Sequence, residues 1–219
     1  MPPGLRPHNQ GVAKSLSWRF VGAVFNNLYH LEVEGQEKVP MSGPVIVAGN
    51  HLSALDIVLG AVSPRPLVFI GRGDLFAYPG LRLVLNDLGI IPVDRGNADV
   101  GAIKAALRVL QTGGAVGIFP EGTRSRSHTL ASFKTGVAAL AIRSRASVVP
   151  VGIAGTDSAW PVGSYPRFWQ TIQIKFGDPI ISSDFGEKTN KFAMMALAET
   201  LEEAVSQLIP AKYLQEEKV

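Results

Sequence analysis

The chain has 219 residues, of which 46% are apolar and only 18% charged, a balance that excludes a disordered chain and suffices to bury one ordinary core. It contains no cysteine, which excludes disulfides, thiolate metal sites and cysteine nucleophiles together. The net charge of +3 is unevenly spread: residues 65–145 hold eleven Lys or Arg against five acids, a basic middle that fits an anionic substrate or a membrane surface, and its bases are too dispersed for a nucleic-acid stripe.

After Pro2, Pro3 and Pro7, a helical stretch is predicted over residues 12–31. Ser15, Arg19, Gly22, Asn26 and His30 recur at spacings of 4, 3, 4 and 4, which makes one narrow polar stripe on an otherwise apolar cylinder. So wide an apolar arc exceeds what packing on a core requires, and Arg19 near the middle opposes a span, so the helix is expected to lie in the plane of a membrane. No run of 18 uncharged apolar residues occurs, and Lys14 and Arg19 break the first apolar stretch in a way that a signal peptide does not allow. The expected division is residues 1–31 as an N-terminal amphipathic helix and residues 32–219 as the main domain.

Short runs rich in Val, Ile and Phe follow at 45–48, 67–70, 90–93, 115–119, 148–153 and 172–176. Helical segments are predicted between and after them, at 54–62, 81–88, 98–110, 130–143 and 191–208. In the third, Val100, Ile103, Leu107 and Leu110 form one apolar face; in the last, Leu197, Leu201, Val205 and Leu208 do. Continuously apolar strands separated by helices predict an α/β fold with a central, mostly parallel sheet covered by helices on both faces.

The segment Asn50-His51-Leu52-Ser53-Ala54-Leu55-Asp56 lies where the first of these strands gives way to a helix, the position at which α/β sheets place their chemistry. A neutral imidazole takes a proton from a hydroxyl if a carboxylate holds its tautomer. Within a single helix, His51 and Asp56 would stand about 140° apart, so they meet only if His51 precedes the first turn. The same residues read as a capping box, with Ser53 at the N-cap and Asp56 three residues on. Spacing alone leaves both readings open, and they are compatible.

A second segment, Phe119-Pro120-Glu121-Gly122-Thr123-Arg124-Ser125-Arg126, also follows an apolar strand. Gly122 lets the backbone approach a ligand, Thr123 offers a hydroxyl, and Arg124 a planar fork matched to phosphate oxygens. A solvated polar loop is the competing reading. No P-loop, dinucleotide fingerprint or nucleophile elbow is present. His8, His30 and His128 have no ligand-like spacing, so no metal site is expected, and Trp18, Trp160 and Trp169 are read as packing or interface residues.

Together the two segments resemble the glycerolipid acyltransferase family, including the 1-acylglycerol-3-phosphate acyltransferases. The hallmark Asn-His-x-Ser-x-x-Asp is met by Asn50, His51, Ser53 and Asp56, and the Phe-Pro-Glu-Gly-Thr-Arg-Ser block by Phe119 to Ser125. Arg72-Gly73-Asp74-Leu75 with Gly89-Ile90-Ile91-Pro92-Val93-Asp94-Arg95 resembles an intermediate block, Arg72 standing where Lys is common. Val148 to Ile153 resembles a fourth, hydrophobic block.

The resemblance implies acyl transfer from acyl-CoA or an acyl carrier protein to the free hydroxyl of lysophosphatidate, giving phosphatidate without a further cofactor. His51 is expected as general base and Asp56 as its orienting partner, with Asn50 and Ser53 supporting and capping. Glu121, Gly122, Thr123, Arg124, Arg95 and Arg72 are expected around the acceptor phosphate. Backbone N–H groups near the helix start are the expected oxyanion donors. The expected partners are the membrane lipid acceptor, the acyl donor and the membrane surface, with no nucleic acid. The expected location is peripheral, on the cytoplasmic face of a membrane. Glycerol 3-phosphate or a glycolipid hydroxyl as acceptor, a thioesterase, and a non-catalytic lipid or acyl-carrier binding module are the alternatives.

Overall fold

Residues Val45–Gly49 are buried throughout, and their side chains alternate between two cores: Ile46 and Ala48 belong to one, Val45 and Val47 to the other. A strand buried on both faces needs helices on both sides. That layering holds in the computed structural model, which describes residues 16–93, 100–125, 129–161, 163–186 and 188–214. The strands are β1 (His30–Glu34), β2 (Val45–Gly49), β3 (Leu67–Arg72), β4 (Ile90–Val93), β5 (Ala115–Ile118), β6 (Ser147–Ala154), β7 (Thr171–Phe176) and β8 (Ile180–Ile181). The helices are α1 (Leu16–Leu28), α2 (Val58–Val62), α3 (Pro79–Asp87), α4 (Val100–Gln111), α5 (Gly136–Ser144), α6 (Thr156–Ala159) and α7 (Lys191–Ser206).

The sheet runs β1-β7-β6-β2-β5-β3-β4, with β8 beside β6. Only the β6–β7 and β6–β8 pairs are antiparallel, so the mostly parallel sheet expected from the sequence is present. One face carries α4, α5 and α7 through Ala106, Ala138, Ala141, Leu197 and Leu201. The other carries α1, α2 and α3 through Trp18, Phe25, Leu59, Leu85 and Leu88. The central strands β6, β2 and β5 are parallel neighbours, so their carboxyl ends, and the loops that leave them, come out side by side.

Several elements depart from the sequence expectation. The helix expected over residues 12–31 is described from Leu16 and ends at Leu28; residues 12–15 lie outside the described residues. Leu31 belongs to β1, where Leu31 and Val33 alternate with the exposed His30, Glu32 and Glu34, a two-residue period too short to stand out. The apolar arc of α1 is turned inward: Trp18, Phe25 and Tyr29 are buried, and the Trp18 indole lies on Gly60 of α2, where any Cβ would collide with it. Gly22, expected on the polar stripe, faces Ala61 instead. Arg19, Asn26 and the apolar Leu16 and Phe20 are exposed, so the helix packs on the core and keeps only a limited apolar outer face.

In α4, Ile103 is exposed and the buried side is Ala102, Ala105, Ala106, Val109 and Leu110. Small side chains let the helix sit close to the sheet, which outweighs the larger apolar residues in setting its rotation. The helix expected from residue 130 begins only at Gly136. Residues 130–134 stay outside the helix, with their N–H groups taken elsewhere, Phe133 N–H by Glu202 Oε2 at 2.8 Å and Lys134 N–H by the Pro120 carbonyl at 3.1 Å. The last helix ends at Ser206, and Leu208 covers Gly152 and Gly177 from the turn that follows. The short β8 and α6 were not anticipated.

Candidate active site

Asn50 leaves the end of β2 with its side chain still in the ladder. Its Nδ2 donates to the Ile153 carbonyl at 2.8 Å and its Oδ1 accepts from Ile153 N–H at 2.8 Å. A side-chain amide reproduces what a backbone peptide would do there, so the chain turns off the sheet with its edge satisfied. His51 follows, before the tight helical turn Ala54–Ile57 begins, as the spacing argument required. Ser53 caps that turn in a capping box with Asp56, and Ser53 Oγ donates to the Trp160 carbonyl at 3.0 Å.

Asp56 is fully buried and both of its oxygens are engaged. Oδ2 lies 2.7 Å from His51 Nδ1 and accepts from Leu52 N–H at 2.7 Å and Ser53 N–H at 2.9 Å. Oδ1 accepts from the Thr156 hydroxyl at 2.6 Å. Two backbone donors and a hydroxyl converge on the carboxylate, so it acts as acceptor and His51 Nδ1 carries the proton toward it. The lone pair of His51 is then on Nε2. The imidazole side chain is 23% exposed and stacks on Phe119, with ring centroids 4.3 Å apart and planes 12° from parallel. The capping contacts of Asp56 and its contact with His51 therefore coexist.

The second motif is joined to the first by backbone. His51 N–H donates to Glu121 Oε1 at 2.7 Å, and Ser125 N–H donates to the His51 carbonyl at 2.8 Å. Glu121 Oε2 accepts from Ala131 N–H at 3.3 Å. Glu121 is 5% exposed, and burial pushes its carboxyl above the usual range against the opposing pull of these two N–H bonds. Its carboxylate, expected around the acceptor phosphate, ties the loop after β5 to the loop after β2. Gly122 closes a turn with its N–H on the Phe119 carbonyl at 3.0 Å and φ +75°, the left-handed region that glycine adopts without strain.

Thr123 and Arg124 are exposed in the same loop. Arg72 closes β3, with its Cα opposite Val93 of β4, on the edge of the sheet from which the site loops emerge. Arg95 lies outside the described residues. Near the helix start, where the oxyanion donors are expected, the N–H groups of His51, Leu52, Ser53, Leu55 and Asp56 are bonded within the site.

Three contributors were not anticipated. Thr156, 100 residues from Asp56 in sequence, arrives at the end of β6. Gly155 before it has φ +84°, and a Cβ there would meet the Thr171 carbonyl oxygen, so the turn that delivers Thr156 demands glycine. Behind it, Tyr213 accepts from Gly155 N–H at 3.0 Å and donates to Asp157 Oδ1 at 2.9 Å, and burial raises the phenol well above its usual range. Phe119 was visible in its motif, but its stacking on His51 was not.

The acyltransferase family model matches residues 30–154. The chloroplastic 1-acyl-sn-glycerol-3-phosphate acyltransferase of Arabidopsis thaliana is 33% identical over 139 residues, which is 62% of this chain and 39% of that protein. The 1-acyl-sn-glycerol-3-phosphate acyltransferase of Bacillus subtilis is 26% identical over 180 residues, 81% of this chain and 87% of that protein. The chain spans between two fifths and about half of the length of the first plant and Borreliella relatives it matches. The crystal structure of the 1-acyl-sn-glycerophosphate acyltransferase PlsC from Thermotoga maritima superposes with a TM-score of 0.73 at 27% identity, covering 88% of this chain and 78% of that one. The matched region holds β1 through β6 and with them both motifs, and by that match this chain belongs to the acyltransferase family.

Proposed function

We propose that the chain transfers a fatty acyl group from an acyl thioester, acyl-CoA or an acyl carrier protein, to the free hydroxyl of lysophosphatidate, giving phosphatidate. The observation that carries this reading is the His51 Nδ1 to Asp56 Oδ2 contact of 2.7 Å, with Asp56 itself held by three further donors. In this mechanism Nε2 of His51 takes the proton of the acceptor hydroxyl, and the oxygen attacks the thioester carbonyl carbon. The C–S bond breaks, the thiolate leaves, and the proton on Nε2 passes to it. Asp56 orients the ring and stabilises the imidazolium between the two transfers. No acyl-enzyme forms, and Ser53 is a cap whose hydroxyl is committed to Trp160. The acyl donor is a substrate, and no cofactor takes part.

Arg124, Thr123 and the Gly122 turn receive the acceptor phosphate, with Arg72 and Arg95 adding charge. The relatives named for this acceptor support lysophosphatidate as the molecule bound there. Contact with the bilayer that holds the acceptor is peripheral and on the cytoplasmic face. The exposed Leu16 and Phe20 of α1, and Tyr165, Phe168 and Trp169 in the loop docked on its end, support it. No helix among the described residues is long and apolar enough to cross a membrane.

The test offers labelled acyl-CoA to the purified protein with lysophosphatidate, glycerol 3-phosphate, a glycolipid or no acceptor in parallel. Phosphatidate should form, and His51→Ala should lower kcat by roughly 10²–10⁴-fold while circular dichroism stays unchanged. Wild-type turnover by a folded His51→Ala protein would end the general-base assignment. Thioester hydrolysis equal with and without acceptor would identify a thioesterase instead.

A further inference from the structure

Lys134 lies in neither motif, in the segment before α5 that runs back along the loop after β5. Two of its bonds tie that segment to the loop: Ala131 N–H donates to Glu121 at 3.3 Å, and Lys134 N–H donates to the Pro120 carbonyl at 3.1 Å. The Lys134 side chain is thereby laid across Gly122. A Cβ on Gly122 would stand 2.6 Å from Lys134 Nζ, 3.3 Å from Cε and 3.5 Å from Cδ. The ammonium thus occupies the space that a side chain at position 122 would take. It has no hydrogen bond or ion pair with any described residue. Glu121, the acid of this turn, is buried with both oxygens on backbone N–H groups and is not aimed at it.

A lysine stem laid over a turn, with its charge unmatched among the described residues and Arg124 two residues further along, is suited to a doubly charged oxyanion. Lysine serves such a ligand as a point charge, and arginine serves it as a fork. We propose that Lys134 binds the phosphate monoester of the acceptor, across the Gly122 turn from which Arg124 extends. The inference rests on the acyl-transfer reading above and adds to it a residue that confers preference for phosphorylated acceptors. Acyl-CoA also carries phosphate, so the test must separate the two substrates.

Lys134→Ala and Lys134→Met, the latter retaining most of the stem, are compared with wild type in the full chain on lysophosphatidate, on monoacylglycerol lacking the phosphate, and across an acyl-CoA series. The lysophosphatidate KM should rise roughly tenfold or more, the scale of one charge-assisted hydrogen bond. The donor KM should not follow. The kcat/KM preference for lysophosphatidate over monoacylglycerol should fall by a similar factor, with partial recovery in Lys134→Arg. A rise in the donor KM instead, or an equal loss on both acceptors, overturns the proposal, the first by moving the cation to the donor and the second by making it a prop for the loop. Calorimetric titration with glycerol 3-phosphate separates this inference from the reading beneath it. Binding that depends on Lys134 in a protein without acyl transfer would keep the site and remove that reading. Unchanged affinity in Lys134→Met of an active enzyme would remove the site alone.

Discussion

Thr156→Val is the substitution that isolates the support beneath the catalytic pair. Valine keeps the branched shape of threonine, so the change removes little besides the hydroxyl. That hydroxyl is the one partner of Asp56 Oδ1 among the described residues, at 2.6 Å, while the other three donors crowd onto Oδ2. Asp56 is fully buried, so water cannot take the place of the lost donor. Leaving one oxygen of a buried carboxylate unmatched should cost about 2–3 kcal/mol, the upper range for hydrogen bonds to charged groups. The carboxylate is also free to rotate about its remaining donors, which displaces His51 Nδ1 from its 2.7 Å contact. Loss of alignment at that scale should lower kcat by roughly 10–100-fold with little change in either KM. Urea unfolding read with steady-state acyl transfer measures both effects, and Thr156→Ser should restore most of each. Wild-type stability and kcat in Thr156→Val would refute the view that Thr156 positions Asp56.

Burial raises the Glu121 carboxyl pKa in the folded state, so its contribution to stability is fully present below the unfolded value near 4.3 and is lost as pH rises through the folded one. The stability of wild type relative to Glu121→Gln should accordingly decline as pH rises above about 4 in a urea-unfolding series. A difference that stays flat or grows over that range would contradict the sign. At the opposite end of the sheet, the buried Arg65 donates to the carbonyls of Pro40 at 2.8 Å, Gly43 at 3.0 Å and Gly113 at 2.7 Å. Arg65→Ala should cost about 3 kcal/mol in thermal or urea unfolding, because three buried carbonyls lose a charged donor. Activity of the fraction still folded should be retained, since the residue lies beyond the amino ends of β2 and β5.

The strands of the central sheet were legible because each is a short apolar run that can be buried on both faces, and Val45–Gly49 shows both faces in use. The edge strand β1 was not. Its polar side is exposed, and only its parallel pairing with β7, more than 130 residues later, distinguishes it from the tail of a helix. The inward rotation of α1 was equally hidden. The apolar arc is visible in sequence, but whether a core or a lipid surface covers it depends on Gly60, which gives Trp18 a place to lie.

The same division runs through the candidate site. His51, Ser53 and Asp56 interact over five residues or fewer, so backbone geometry at one strand-to-helix junction determines their contacts, and spacing alone stated the condition for their meeting. The Glu121 clamp on His51 joins residues 70 apart, and the Thr156 bond to Asp56 joins residues 100 apart. Neither Glu121 nor Thr156 has a local partner that marks it. Their roles follow from the adjacency of β2, β5 and β6, which is a property of how the whole sheet buries its apolar surface. Lys134 is the clearest case: as sequence it is one cation among 21 Lys and Arg, and only the segment just before α5, bonded to Glu121 and Pro120, lays it over Gly122. Chemistry written within one turn of chain can be read from residue order, whereas chemistry assembled across strands waits for the sheet to form.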